Sequence, residues 1–149
     1  MRRLQRPAKY FKASEFKLGL PHPNLILLLD EVREALGTPV FITNSGRTIH
    51  DHIQIYIDLY KDEWLEKIPW KSRHLPCFKT NFLRAVDFKA EKSRNKNEVE
   101  YHSGETIKDT VLSIAKSYSH INVGIGVGQH FLHLDVDRTE SYKVWYYDR

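Results

Sequence analysis

The sequence is poor in the residues that staple, punctuate or anchor a chain. A single cysteine, Cys77, rules out an internal disulfide, so any folded state rests on a packed core. Such cysteine usage fits synthesis in a reducing compartment. No apolar run approaches the length that spans a bilayer. The longest purely aliphatic one is "LILLL", residues 25–29, so membrane insertion is not expected. The basic N-terminus, "MRRLQRPAKYFKASEF", is followed by no apolar stretch. No secretory signal is read there, and cytoplasmic synthesis is expected. There is no internal repeat and no low-complexity segment. The excess of positive charge is small, +4 with a pI of about 9.1. The lysines and arginines are scattered, with neither an arginine-rich helix nor an aromatic-basic RNA-binding signature, so nucleic acid is not an expected partner.

What is present describes an ordinary globular chain. With 41% hydrophobic and 28% charged residues it is neither disordered nor fibrous. Its 149 residues suit one domain, 1–149, large enough to bury a core. A monomer is expected. Histidine is plentiful, at eight.

Ser14 and Glu15 suggest a short helix, "SEFKLG", ended by Gly19. "NLILLLDEVREALG" places Leu25, Leu28, Leu29, Val32 and Leu36 at helical spacing, with Gly37 where a C-terminal cap belongs. Pro39 restarts the chain as a strand, "VFITN". "SGRTIHDH" reads as a loop or turn. "IQIYIDLYKDEWLEKI" fits a helix, although its isoleucines and tyrosines also suit a strand. "WKSRHLPCFKTNF" has no clear period and reads as an ordered loop. "LRAVDFKA", residues 83–90, alternates as a strand, and "EKSRNKNEVEYHSGE" reads as an exposed polar loop. "TIKDTVLSIAKSYS" is a second helix, with Ile107, Val111, Ile114, Ala115 and Tyr118 as its stripe. The strands "NVGIGVG", "FLHLDVD" and "YKVWYYD" follow, joined by turns short enough for an antiparallel meander. The order predicts an α+β domain with a mostly antiparallel sheet and flanking helices.

The strand "FLHLDVD" carries the chemistry. Its period of two sends Leu132, Leu134 and Val136 to one face and Phe131, His133, Asp135 and Asp137 to the other. A core strand whose second face is polar needs partners for those groups. Asp87 raises the same demand, because it stands among Ala85, Val86 and Phe88, and an unpaired buried carboxylate is costly. "SRH" supplies His74 just upstream. Two histidines and one aspartate make a three-ligand set for Zn²⁺ that leaves a fourth position for water. By spacing alone the signal is weak.

Several segments, in order, resemble the zinc D-alanyl-D-alanine carboxypeptidase family, which includes the L-alanyl-D-glutamate endopeptidases of phage lysins. "FKASEF" is similar to an N-terminal segment of its phage and bacterial members. "LGTPVFITNSGRT" resembles its strand and arginine turn. "SRH" and "LRAVDF" resemble the two halves of its S-x-H-x-x-G-x-A-x-D motif. "VGIGVGQHFLHLDVD" is similar to its closing G-I-G…F-V-H-x-D segment, and "VWYYD" fits its aromatic end. The likeness spans roughly residues 11–147.

It implies a hedgehog/DD-peptidase-like fold and a zinc peptidase acting on peptidoglycan stem peptides. The zinc ligands would be His74, Asp87 and His133. Arg47 would bind the carboxylate of the substrate peptide, a task suited to its two-pronged guanidinium. Many relatives place an acidic base three residues before the last histidine. Here that position is His130, which would carry the proton, with His50 and His52 as further candidates. Asp135 is a candidate to orient His133 from the same strand face. The protein would be released to the cell wall or carried on a phage particle. The chain departs from the pattern in two ways. His74 and Asp87 stand thirteen residues apart, farther than in the motif, and Leu83 takes the motif's glycine position. Cys77, three residues after His74, is either a further ligand or a small buried residue. A non-catalytic binding or phage structural protein on the same fold is the alternative.

Overall fold

The computed structural model describes residues 9–16, 20–69, 72–75, 82–140 and 142–149. It is an α+β structure built on one open, mostly antiparallel sheet. Its strands are β1 (Val40–Asn44), β2 (Ala85–Asn95), β3 (Glu98–Tyr101), β4 (Gly124–Val127), β5 (Leu132–Asp135) and β6 (Lys143–Tyr146). The order across the sheet is β1-β2-β5-β4-β6, with β3 paired to the far part of β2. Three helices of twelve residues or more accompany it: α1 (Pro23–Leu36), α2 (Ile49–Tyr60) and α4 (Gly104–Ala115). The short α3 (Trp64–Lys67) follows α2. Among the described residues no helix is long and apolar enough to cross a membrane.

The two helices expected from their leucine and isoleucine stripes form, and each is capped. The imidazole Nδ1 of His22 accepts from the Asn24 amide at the start of α1, and Gly37 closes it in the left-handed region at φ 70°. The Ser103 hydroxyl accepts from the Thr106 amide to begin α4. α1 and α4 touch each other and cover one face of β2, β4 and β5. There Leu25, Leu28, Val32, Ile107, Val86, Phe88, Ile125, Leu132 and Leu134 are wholly inaccessible. Asp30, buried on α1, accepts from the backbone amides of Lys9 and Tyr10 and ties the N-terminal segment to the core, where Phe11 and Phe16 pack.

Four expectations need correction. "SGRTIHDH" is a loop only as far as Thr48; the Thr48 hydroxyl accepts from the Asp51 amide and starts α2 at once. The polar stretch after residue 90 is a β-hairpin, because β2 runs on to Asn95 and β3 returns beside it. Its charges sit on an exposed ribbon and pair across it, Lys92 with Glu100 at 3.6 Å. The three last strands are not a meander. β5 already has β2 and β4 as neighbours, so β6 passes to the free edge of β4 and runs parallel to it. The short N-terminal helix is a 3₁₀ turn, Ala13–Glu15. Gly19 and Cys77 lie outside the described residues.

Candidate metal centre

Sheet register assembles the site. Asp87 on β2 is paired with His133 on β5, His133 with Gly126 on β4, and Gly126 with Trp145 on β6. Residues directly opposite share a face, so this row places a carboxylate, an imidazole and an indole on the side away from α1 and α4. The next row does the same with Ala85, Asp135, Gly124 and Lys143. The glycines in these rows leave room for large neighbours. A Cβ on Gly126 would lie 2.5 Å from the Tyr147 ring and 2.8 Å from Trp145 Nε1. One on Gly124 would run into the Arg138 guanidinium.

His74 arrives from the loop before β2 and completes a triad. Its Nε2 lies 3.2 Å from His133 Nδ1 and 3.4 Å from Asp87 Oδ1, and His133 Nδ1 lies 2.9 Å from Asp87 Oδ1. The outer nitrogens decide what these inner atoms are. His74 Nδ1 faces the Ser45 carbonyl oxygen at 2.7 Å, so this nitrogen carries the proton and donates. His133 Nε2 donates to Asp135 Oδ2 at 2.7 Å. Each neutral imidazole therefore turns a lone pair inward, toward a carboxylate oxygen that also only accepts. Among the described residues, three acceptors converge without a donor, which is the electronic demand of a cation. Around a tetrahedral ion with bonds of about 2.0–2.1 Å, donor atoms lie roughly 3.3 Å apart. The three observed separations bracket that value, so His74, Asp87 and His133 fit one metal ion.

Asp135 holds its place through Arg138, whose Nη2 donates to Oδ2 at 2.7 Å and whose Nε donates to Oδ1. Burial opposes charge on Asp87 and Asp135, but in the metal-free protein a protonated His133 bonded to both, with His74 beside Asp87 and Arg138 beside Asp135, holds both carboxyls below the usual carboxylate range. Burial likewise opposes charge on His133, and its bonds to Asp135 and Asp87 outweigh it and raise the imidazole. Without a metal, a proton on His133 takes over the cation's place.

The triad opens into a cleft of about 460 Å³. Among the described residues five basic side chains line it, Arg47, Arg73, Arg138, Lys143 and Arg149, against two carboxylates, Asp87 and Asp135. One wall is aromatic. Phe131 stacks on Tyr147 at 5.5 Å, and Trp145 lies 5.3 Å from the His133 ring. Arg149 sits over Tyr147, and Arg138 and Lys143 over Trp145, within cation–π range.

Of the residues read from the sequence, the structure gathers His74, Asp87, His133, Asp135 and Arg47. The bond from His133 to Asp135 is shorter than two residues along a regular strand suggest, because β5 ends there and Arg138 draws the carboxylate round. The structure does not bring His130 to the cleft. It is exposed in the turn between β4 and β5, before the alternation that aims Phe131, His133 and Asp135 inward, and it does not line the cavity. His50 is exposed on the first turn of α2, whereas His52 is buried beside Arg47. Leu83, at the motif's glycine position, is wholly buried, and its carbonyl accepts from the His22 amide. Sequence reasoning missed Ser45, which acts through its backbone, and Arg138. The spacing of Arg138 three residues after Asp135 was the available signal. No family model, curated protein or solved structure matches the chain.

Proposed function

We propose that the protein is a zinc-dependent peptidase that hydrolyses peptidoglycan stem peptides, of the D,D-carboxypeptidase or L,D-endopeptidase type, on a hedgehog/DD-peptidase-like fold. The observation that carries this reading is the convergence of His74 Nε2, Asp87 Oδ1 and His133 Nδ1, with both outer imidazole nitrogens already engaged. The donor set of two nitrogens and one carboxylate oxygen suits zinc and leaves a coordination position open to the cleft. Zinc held there supplies Lewis acidity, polarising a carbonyl and lowering the pKa of a water toward neutrality.

The chain's own residues do the rest. The Ser45 carbonyl and Asp135 fix the tautomers of the two histidines. Arg47 pairs with the free carboxylate of the peptide, and the basic lining draws such an anion in. Trp145, Tyr147 and Phe131 form an apolar wall against which a peptide packs and from which water is displaced. Burial raises the Tyr147 phenol above its ordinary value, and its hydroxyl faces the cleft protonated. The setting is the cell wall, reached by release or on a phage particle, with the protein acting as a monomer.

One observation favours the alternative, a metal-dependent binding or phage structural protein. Among the described residues, both carboxylates of the cleft are engaged, Asp87 in the triad and Asp135 by His133 and Arg138. Neither is free to act as a general base. The test is to incubate zinc-loaded protein with a pentapeptide stem and follow the fragments by mass spectrometry. Release of D-alanine, or cleavage after L-alanine, abolished by a chelator and restored by zinc, is the expected result. A protein that holds its zinc, binds the stem peptide and cuts nothing would replace the peptidase with the binding reading.

A further inference from the structure

Apart from the triad histidines, His52 is the one imidazole that is fully buried among the described residues, on the first turn of α2. Its two ring nitrogens meet partners of opposite kind. Nε2 lies 2.9 Å from the Pro69 carbonyl oxygen, which can only accept. Nδ1 lies 3.0 Å from Arg47 Nη1, which can only donate. Both contacts are satisfied by one species, the neutral imidazole with its proton on Nε2.

We propose that His52 is the positioning residue of Arg47: it accepts from Nη1 through a single fixed tautomer and holds the guanidinium ready for a ligand carboxylate. The ligand part of this statement rests on the reading of Arg47 given above. An unrestrained arginine loses a large side-chain entropy when it binds. A buried acceptor that is itself anchored at its far end removes much of that cost in advance. The anchor also registers Arg47 against the triad. Two further hydrogen bonds join the same segments: the Arg47 amide donates to the His74 carbonyl at 3.0 Å, and His74 Nδ1 donates to the Ser45 carbonyl. With His52 to Pro69, three bonds tie Ser45, Arg47 and His52 to Pro69 and His74. The carboxylate-binding arm and one arm of the triad therefore move as a unit.

The two side-chain amides separate the two nitrogens of His52. In His52→Asn the amide oxygen falls near the Nδ1 position and can still accept from Arg47. In His52→Gln the amide nitrogen falls near Nε2 and can still donate to Pro69, but the acceptor for Arg47 is gone. The experiment is side-chain ¹⁵N NMR of zinc-loaded protein, with titration of N-acetyl-D-alanine and its amide. Wild type should show His52 protonated at Nε2 and a resolved, slowly rotating Arg47 guanidinium. His52→Asn should keep that guanidinium signal and His52→Gln should average it. The acid should bind His52→Gln about ten-fold more weakly than wild type, as expected for loss of one charge-assisted hydrogen bond. The amide should be unaffected, and the effect should vanish in an Arg47→Ala background.

His52 protonated at Nδ1 in the wild type would overturn the proposal, and this holds even if His52→Gln fails to fold. Equal weakening of acid and amide, or an effect that persists without Arg47, would overturn it too and reduce His52 to a packing residue. A locked Arg47 that shows no preference for the acid would support the positioning and instead remove the carboxylate-binding role from the peptidase reading.

Discussion

His52 and His133 are both buried imidazoles within hydrogen-bond reach of a charged side chain, and they differ in where the second nitrogen goes. His52 has a donor on one side and an acceptor on the other, so its ring is saturated as a neutral molecule. His133 has acceptors on both sides, Asp135 at Nε2 and Asp87 at Nδ1, with a second imidazole lone pair close by. A saturated ring is a strut. A ring that faces only acceptors needs a cation, and the protein supplies the cage for one. Burial is nearly the same for the two, so burial does not distinguish a ligand from a support; the chemistry of the far nitrogen does.

The largest test of that contrast is to change neighbours on one strand. His133→Ala should abolish metal binding and, with it, any hydrolysis, while the fold survives. Leu134→Ala, one residue on and facing the helices, should cost about 2–5 kcal/mol of stability and leave one metal per chain. Chemical denaturation and elemental analysis of both variants check this. If both lose metal equally, the two faces of β5 are not functionally separate. Next in size is Asp135→Asn, which keeps the shape and removes the charge behind His133. Metal affinity should fall about 10–100-fold, read by competition with a chelating dye. Unchanged affinity would make Asp135 a partner of Arg138 alone.

Acidity sharpens the contrast further. In metal-free protein His133 is raised above its ordinary value, so its charged bonds to Asp87 and Asp135 contribute fully below the usual histidine range and are lost as pH rises through the raised value. Metal binding runs the other way, because the ligands must be deprotonated, and its increment to stability grows as pH rises. Melting temperatures of stripped and loaded protein should therefore diverge from acid to mildly alkaline pH. Asp87 and Asp135, held low, keep their contribution until the pH falls through their depressed values. Parallel curves for the two forms would contradict the triad as the metal site. The smallest effect belongs to His130→Ala. Exposed and outside the cleft, it should leave turnover and metal content unchanged; a large loss of turnover with metal retained would restore it as the base.

The sequence made the core legible because its signals are local. The leucine stripe of α1 and the alternation of β5 need no knowledge of the rest of the chain. It also pointed to His74, Asp87 and His133, the three residues that lie close enough to hold one ion, but only through motif order, since His74 and Asp87 stand thirteen residues apart along the chain. The errors were of two kinds. Capping at Thr48 and the charged hairpin after residue 90 are local features whose polarity hid their regularity. The place of β6 is a tertiary fact, decided by which edge of the sheet was free. Hydrogen-bond direction at His52 and His74 was beyond any pattern, because it depends on backbone carbonyls, of Pro69 and Ser45, that are distant in the chain, whereas Asp135, two residues from His133 on one strand, was within reach of one.

The measurement that bears most directly on the account is a zinc titration of chelator-treated protein by calorimetry, with His133→Ala beside the wild type. One zinc per chain in the wild type and none in the variant is the predicted result. No binding in either, or equal binding in both, would contradict the claim that His74, Asp87 and His133 form a metal centre.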